Sequence, residues 1–235
     1  MDILLIGYGK MGRTIERVAL ERGHSIAGKI DIENRNDLHT AKGDVAIEFS
    51  HPDAAYDNVK KCIDRKIPVV CGTTGWLERK PEIENLAREK GSPFFYSSNY
   101  SLGVNIFFKL NEHLAVMMNK FTAYEVSIDE VHHVEKKDAP SGTAITLAEG
   151  VIRNLDRKKK WTEVSMGKPE EIEIKSFRIN DVPGTHVIKY TSLIDDIEIK
   201  HTAHTREGFA LGAVMVAEWI RDKKDVLNMD DFLKF

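Results

Sequence analysis

Residues 2–12 read DILLIGYGKMG. Four apolar residues in a row, Ile3 to Ile6, run directly into glycines at positions 7, 9 and 12. A short apolar run stopped by glycine suits a buried strand, here Asp2 to Ile6. The residues after Gly12 carry a helical pattern to about Arg22. Strand, Gly-x-Gly-x-x-Gly and helix in that order turn the free N–H groups of a helix start toward an anion. In such a turn Gly7 permits the tight bend, Gly9 lets backbone approach a pyrophosphate, and Gly12 lets helix pack on strand. An acid that bonds the ribose hydroxyls is then expected about 20 residues on. Asp31 lies 19 residues past Gly12. Gly7, Gly9, Lys10, Met11, Gly12 and Asp31 are therefore candidate dinucleotide contacts. A carboxylate at 31 repels a 2′-phosphate, and Ile32 rather than an arginine follows it. That favours NADH over NADPH, with nearby Lys29 and Arg35 softening the preference.

The alternation continues for a hundred residues. His24 to Asp31, Asp44 to Phe49, Ile67 to Cys71 and Pro93 to Tyr96 read as strands, while Pro52 to Arg65 and Arg79 to Lys90 read as helices. Short apolar strands separated by helices predict βαβ units on a parallel sheet. Ligands in such sheets bind beyond the carboxyl ends of the strands. The loop Gly72-Thr73-Thr74-Gly75 follows the fourth strand and Ser97-Ser98-Asn99-Tyr100-Ser101 the fifth. Gly72, Thr73, Thr74, Ser97, Ser98, Asn99 and Tyr100 join the coenzyme candidates.

The pattern changes after Leu102. A helix is expected to about Lys120, followed by strands at Ala123 to Val131, Glu171 to Ile179, Thr185 to Ile194 and Ile197 to Ala203. Turn signals at Pro183-Gly184 and Asp195-Asp196 suggest that consecutive strands pair antiparallel. Phe209 to Ile220 is apolar almost all round and predicts a buried helix. The fold class is thus α/β: a parallel-sheet dinucleotide-binding domain plus a second, α+β domain.

Composition narrows the partners. The 235 residues carry a formal net charge of −3, so no general attraction to nucleic acid or an anionic membrane is expected. The basic run Arg157 to Lys160 reads as a solvated turn. No apolar run approaches the ~20 residues of a membrane helix. Two cysteines, Cys62 and Cys71, imply no disulfide framework, and a reducing cytoplasmic location is expected. Cys71 reads as a small buried hydrophobe.

Residues 130–152, EVHHVEKKDAPSGTAITLAEGVI, crowd proton carriers and anion binders before a helix. Ala144, Leu147, Ala148, Val151 and Leu155 recur at helical spacing, so the helix begins near Thr143. Ser141, Gly142 and Thr143 then sit at its positive end, an anion site suited to a small carboxylate. Lys136 or Lys137 adds a full charge. Histidine titrates near neutrality and can protonate a reacting atom. On a regular strand His132 and His133 point to opposite faces, so serving one site requires the chain to leave β geometry there. No cysteine or His-Glu-x-x-His spacing supports a metal, and none is expected.

EVHHVEKKDAPSGTA closely resembles the signature of the 4-hydroxy-tetrahydrodipicolinate reductase (dihydrodipicolinate reductase) family. GYGKMGR is similar to that family's glycine loop, CGTTGW and SSNYSLGVN to its further coenzyme loops, and HTAHTREGFALGA to its closing segment. The resemblance covers essentially the whole chain. It implies hydride transfer from NADH or NADPH to a cyclic imine dicarboxylate, with loss of water, in lysine and diaminopimelate synthesis. It implies His132 and Lys136 as candidate proton donors, with His133 and Ser141-Gly142-Thr143 holding substrate carboxylates. It further implies a Rossmann-like parallel-sheet dinucleotide-binding domain of residues 1–102 and 206–235, an α+β mixed-sheet substrate-binding and tetramerisation domain of residues 103–205, and a homotetramer. Val134 and Glu135 depart from the basic residues common in the family, Asn180 and Asp181 from its usual glycine, and the stretch from Asp31 to Asp44 is short.

Overall fold

The computed structural model describes residues 1–164, 168–205 and 207–234. The chain falls into two compact units, Met1–Leu102 with Glu207–Phe235, and Gly103–Arg206.

The first unit is built on a six-stranded parallel sheet. Its strands are β1 (Asp2–Ile6), β2 (Ser25–Ile30), β3 (Val45–Glu48), β4 (Val69–Cys71), β5 (Phe94–Tyr96) and the short β11 (Val226–Leu227). Their order is β11-β5-β4-β3-β1-β2. Helices α1 (Lys10–Glu21), α2 (Pro52–Asp64), α3 (Lys80–Lys90) and α6 (Glu207–Ile220) are the main helices, with a short α7 (Met229–Leu233) at the end. The period-2 alternation of a strand divides the buried residues between two layers. Ile3, Leu5, Ile47, Val70 and Phe95 join one apolar cluster with α1 and α6. Leu4, Ile6, Ala46, Val69, Cys71 and Phe94 join the other with α2 and α3. A strand sandwiched this way needs a continuous apolar run, as Ile3 to Ile6 supplies. The all-round apolar helix is found as α6, with Ala210, Ala213, Val214, Val216, Ala217 and Ile220 wholly buried. Cys71 is buried, and burial pushes its thiol well above the ordinary range. It behaves as the small hydrophobe expected of it.

The second unit holds α4 (Leu102–Met118), β6 (Glu125–His132), α5 (Gly142–Asn154), β7 (Lys160–Thr162), β8 (Glu171–Arg178), β9 (Gly184–Thr191) and β10 (Asp196–Ala203). Its sheet order is β10-β9-β6-β8-β7. The predicted helical face of α5 is borne out: Ala144, Leu147, Ala148, Val151 and Leu155 pack with Ile128, Ile172, Ile174, Ile188 and Tyr190.

Two expectations are corrected. Consecutive strands do not all pair antiparallel. β9 pairs antiparallel with β10 and with β6, but β6 and β7 each run parallel to β8. The reason is α5, which carries the chain across the sheet after β6 as parallel neighbours require. The basic run at 157–160 is not a solvated turn throughout. Lys158 is only 2% exposed, and its ammonium donates to the carbonyls of Pro169 (2.7 Å) and Glu171 (2.9 Å) and to the Glu125 carboxylate (2.6 Å). Arg157 donates to the carbonyls of Met118 and Tyr124. These backbone acceptors make burial of a cation tolerable.

Candidate active site

In the first unit the glycine turn fits a dinucleotide. The strand order reverses around β1 and β3, the place where open α/β sheets bind ligands. Gly7 follows β1 with φ +89°, and an ideal Cβ there would overlap the carbonyl oxygen of Phe49, just past β3. A Cβ on Gly12 would overlap the Gly7 carbonyl oxygen. Gly9, the N-cap of α1, has no atom within 4 Å of a would-be Cβ and no side-chain cap. Two glycines thus close the turn while the third leaves open space in front of unpartnered helix N–H groups. No acidic residue stands in the first turn of α1 to compete with an anion. Lys10 is exposed there, whereas Met11 packs against the core.

The other coenzyme candidates divide. Asp31 is exposed at the end of β2, where its carboxylate accepts from Ile32 N at 2.9 Å and caps the 3₁₀ turn Ile32–His39. Gly72 lies tight against the Phe49 ring. Thr73 is buried, its hydroxyl accepting from Ser50 N at 2.8 Å, while Thr74 is exposed. Ser97 donates to the Asn99 carbonyl, and the Asn99 side chain accepts from Ser101 N. Ser98 is exposed in that turn. Tyr100 is 1% exposed and donates to the Cys71 carbonyl at 2.7 Å, so its ring belongs to the core.

In the second unit the strand β6 ends at His132, so His133 leaves β geometry as sharing a site required. His132 is buried, and Nδ1 bonds the carboxylate of Glu130, which is wholly buried. Burial opposes ionisation of Glu130, but hydrogen bonds from His132 and Arg178 prevail and hold it at about 2. An ionised acceptor fixes the imidazole proton on Nδ1. Arg178 Nη2 bonds the other Glu130 oxygen at 2.9 Å. His186 meets His132 edge to face at 5.1 Å between centroids. Burial, then the nearby His132, pulls His186 down to about 3, so it is uncharged. Its Nε2 lies 3.1 Å from the Ser141 hydroxyl.

Ser141 caps α5, accepting from Ala144 N at 3.2 Å. Gly142 is exposed with nothing within 4 Å of a would-be Cβ, and Thr143 is half-buried. No acid stands in the first turn of α5. Lys136 is paired by both oxygens of Asp138 at 2.8 Å, and that bond lowers the Asp138 carboxyl. Lys137 is exposed. His133 lines a shallow cavity of about 410 Å³ with Val134, Glu135, Asn180, Asp181, Val182 and Pro183. Val134, Glu135, Asn180 and Asp181 therefore share one surface.

Glu130, Arg178 and His186 escaped the sequence reading. Glu130 carried a signal, because residues two apart on a strand share a face. Arg178 and His186 did not, since only register places them opposite His132 and Glu130. Donor atoms of Glu130, His132 and His186 lie within 4.8 Å of one another, a spacing that can suit a metal. The arginine on one Glu130 oxygen and the imidazole on the other instead mark a hydrogen-bonded chain. Arg206, in the closing HTAHTREGFALGA stretch, lies outside the described residues.

A reversing parallel sheet with an open glycine turn, and a separate unit carrying histidine, lysine and a helix start, define a nicotinamide-coenzyme oxidoreductase. Family models described as "Dihydrodipicolinate reductase, N-terminus" and "Dihydrodipicolinate reductase, C-terminus" match residues 1–100 and 103–233. The chain belongs to the dihydrodipicolinate reductase family. It is 48% identical to a 4-hydroxy-tetrahydrodipicolinate reductase of Christiangramia forsetii, over 99% of this chain and 98% of the relative. It is 35% identical to one of Alkaliphilus oremlandii, over 97% and 99%. A solved structure of dipicolinate-bound dihydrodipicolinate reductase from Paenisporosarcina sp. TG-14 shares the fold at TM-score 0.82 and 18% identity, covering 99% of both chains. Among the described residues no helix is long and apolar enough to cross a membrane.

Proposed function

We propose that this chain reduces 4-hydroxy-tetrahydrodipicolinate to tetrahydrodipicolinate in lysine and diaminopimelate synthesis. The stretch His132 to Thr143 carries the reading, because twelve residues of one unit supply an imidazole, an ammonium and an open helix start. The reduced nicotinamide supplies the hydride. The turn Gly7 to Gly12 takes the coenzyme diphosphate, with Gly72, Thr74 and the Ser97–Asn99 loop toward the nicotinamide half. One substrate carboxylate rests on the N–H groups of Gly142 and Thr143, in a turn set by the Ser141 cap. His133 meets the other carboxylate, and Lys136 offsets the double charge. These contacts orient the ring for attack. His132 or Lys136 delivers the proton that completes reduction.

NADH is the preferred coenzyme in this reading, because Asp31 faces the ribose with a negative charge. Lys29, the nearest softening cation, is engaged by Glu16 at 2.6 Å and by Tyr8 at 3.0 Å. A homotetramer is in keeping with exposed Phe177, Leu193, Ile194 and Ile197 on the second unit, which self-association would bury. Light scattering reads its mass. A reducing cytoplasm suits the free, buried Cys62 and Cys71.

The deciding experiment is steady-state oxidation of NADH and of NADPH with substrate formed in situ from pyruvate and aspartate semialdehyde. Substrate-dependent oxidation is the expected result. Tight NADH binding with no oxidation on adding substrate would overturn the reading.

A further inference from the structure

One arginine ties together parts of the second unit that the chain sequence keeps apart. Arg178, the last residue of β8, places its side chain among four acceptors. Nη2 donates to the Glu130 carboxylate at 2.9 Å and to the Asp138 carbonyl at 2.6 Å. Nε donates to the Lys136 carbonyl at 3.3 Å, and Nη1 to the carbonyl of Phe177 at 2.8 Å. The Glu130 carboxylate in turn holds His132 by Nδ1.

We infer that Arg178 is a positioning residue for the reduction, setting the His132 imidazole through Glu130 and the Lys136 loop through the carbonyls of residues 136 and 138. The inference rests on the proposed roles of His132 and Lys136 and adds the device that keeps the two in register. Three physical facts favour it. Residues 133–140 form a loop outside any helix or strand, so their carbonyls have no ladder to hold them. A guanidinium offers five donors in a rigid planar fork and can serve a carboxylate and several carbonyls together, which an ammonium on a flexible stem cannot. Glu130 has no exposed surface, so an ion at that position requires a permanent countercharge.

Packing completes the restraint on His132. A Cβ on Gly184 would stand 3.1 Å from its Nε2, so the glycine leaves the ring just enough room. His186 closes the remaining side and reaches Ser141 at the start of α5. The charged or titratable groups around His132 are thus Glu130 from its own strand, Arg178 from β8, His186 from β9, and Lys136 and Asp138 from the loop. Of these, Glu130 alone bonds the imidazole directly.

The test compares Arg178→Lys and Glu130→Gln in the full chain. Both are measured by kcat, by KM for each substrate, by NADH affinity and by the pH profile of kcat/KM. Arg178→Lys keeps the positive charge and loses the fork, so kcat should fall about a hundredfold, the cost of a misplaced catalytic group. NADH affinity should be unchanged. Glu130→Gln should also lower kcat, with NADH affinity unchanged, because the imidazole loses the carboxylate that holds its Nδ1. Added guanidinium should restore turnover to Arg178→Ala, which a general packing defect would not permit. His132→Asn and Lys136→Ala are run beside them. If both of these turn over normally, the assigned donor roles are wrong. If they are inactive while Arg178→Lys keeps wild-type kcat and pH profile, the positioning role alone is overturned. Should Arg178→Lys not fold, Glu130→Gln decides, and a wild-type kcat overturns the inference.

Discussion

Gly7 and Phe49 meet at the point where the first sheet reverses: a side chain on Gly7 would overlap the Phe49 carbonyl oxygen. The contact joins the loop after β1 to the loop after β3, so the glycine turn is packed from behind by the next unit of the sheet. Gly9, two residues on, faces open space. The two glycines therefore do different work although one motif names both.

Alanine separates those roles. Gly7→Ala adds a methyl group where φ is +89° and a carbonyl already stands. It should cost more than about 2 kcal/mol of stability, from left-handed strain and overpacking together. Gly9→Ala should fold with an unchanged melting temperature and bind NADH about tenfold more weakly, because its methyl occupies the space offered to the diphosphate. Thermal melts and NADH titration check both. A Gly9→Ala chain that binds NADH normally would remove the diphosphate from this turn.

Lys158 makes the second case. Replacing it by methionine keeps most of the stem but leaves the Pro169 and Glu171 carbonyls without their donor. A loss of about 1–3 kcal/mol is expected from unsatisfied buried acceptors. Lys159→Ala, on the exposed neighbour, should fall within about 0.5 kcal/mol of wild type. Denaturant unfolding compares the two. Equal effects would mean that burial of Lys158 contributes nothing.

These residues mark where sequence reading stops. The stretch Asp2 to Gly12 and the face of α5 were legible because their information is local: a run, a turn residue, a repeat at helical spacing. The strands β7 and β11 were not, being three and two residues long and too short to show any period. The insertion of β6 between β8 and β9 depends on pairing over long separations, which no local pattern carries. Lys158 reads as solvent-facing by type, and only the carbonyls around it reverse that. Tyr100 sits in a polar loop by sequence, yet its ring is core. In the candidate site, the histidines, lysines and helix start were legible, whereas Arg178 and His186 arrive on other strands.

The uncharged His186 predicts a pH dependence of stability. In the unfolded chain a histidine takes its proton near pH 6.5, but in the folded chain burial beside His132 defers this to about 3. A depressed folded value means the stabilisation is complete above pH 6.5 and is lost as pH falls toward 3. The slope reaches at most about 1.4 kcal/mol per pH unit. His186→Gln should flatten the unfolding free energy between about pH 6.5 and 5.5, above the range where most carboxylates titrate. A smaller slope remains from His201, whose protonation is also lowered by burial. Urea unfolding at several pH values measures it, and an identical slope in His186→Gln would contradict the assignment.

In the proposed reading, coenzyme choice turns on the charge of Asp31 rather than on its presence. Its carboxylate also caps the turn Ile32–His39, so alanine would confound two losses. Asp31→Asn keeps an oxygen that can accept from Ile32 N and removes only the charge. Binding of NADH should weaken by about tenfold, as expected for losing a charged hydrogen bond to the ribose. NADPH should bind better, because the repulsion on its 2′-phosphate is gone while Arg13 and Lys29 remain close to the Tyr8 ring. The ratio of kcat/KM for the two coenzymes reports both changes at once. If that ratio and the NADH affinity both stay at wild-type values, Asp31 caps its turn and does not touch the ribose.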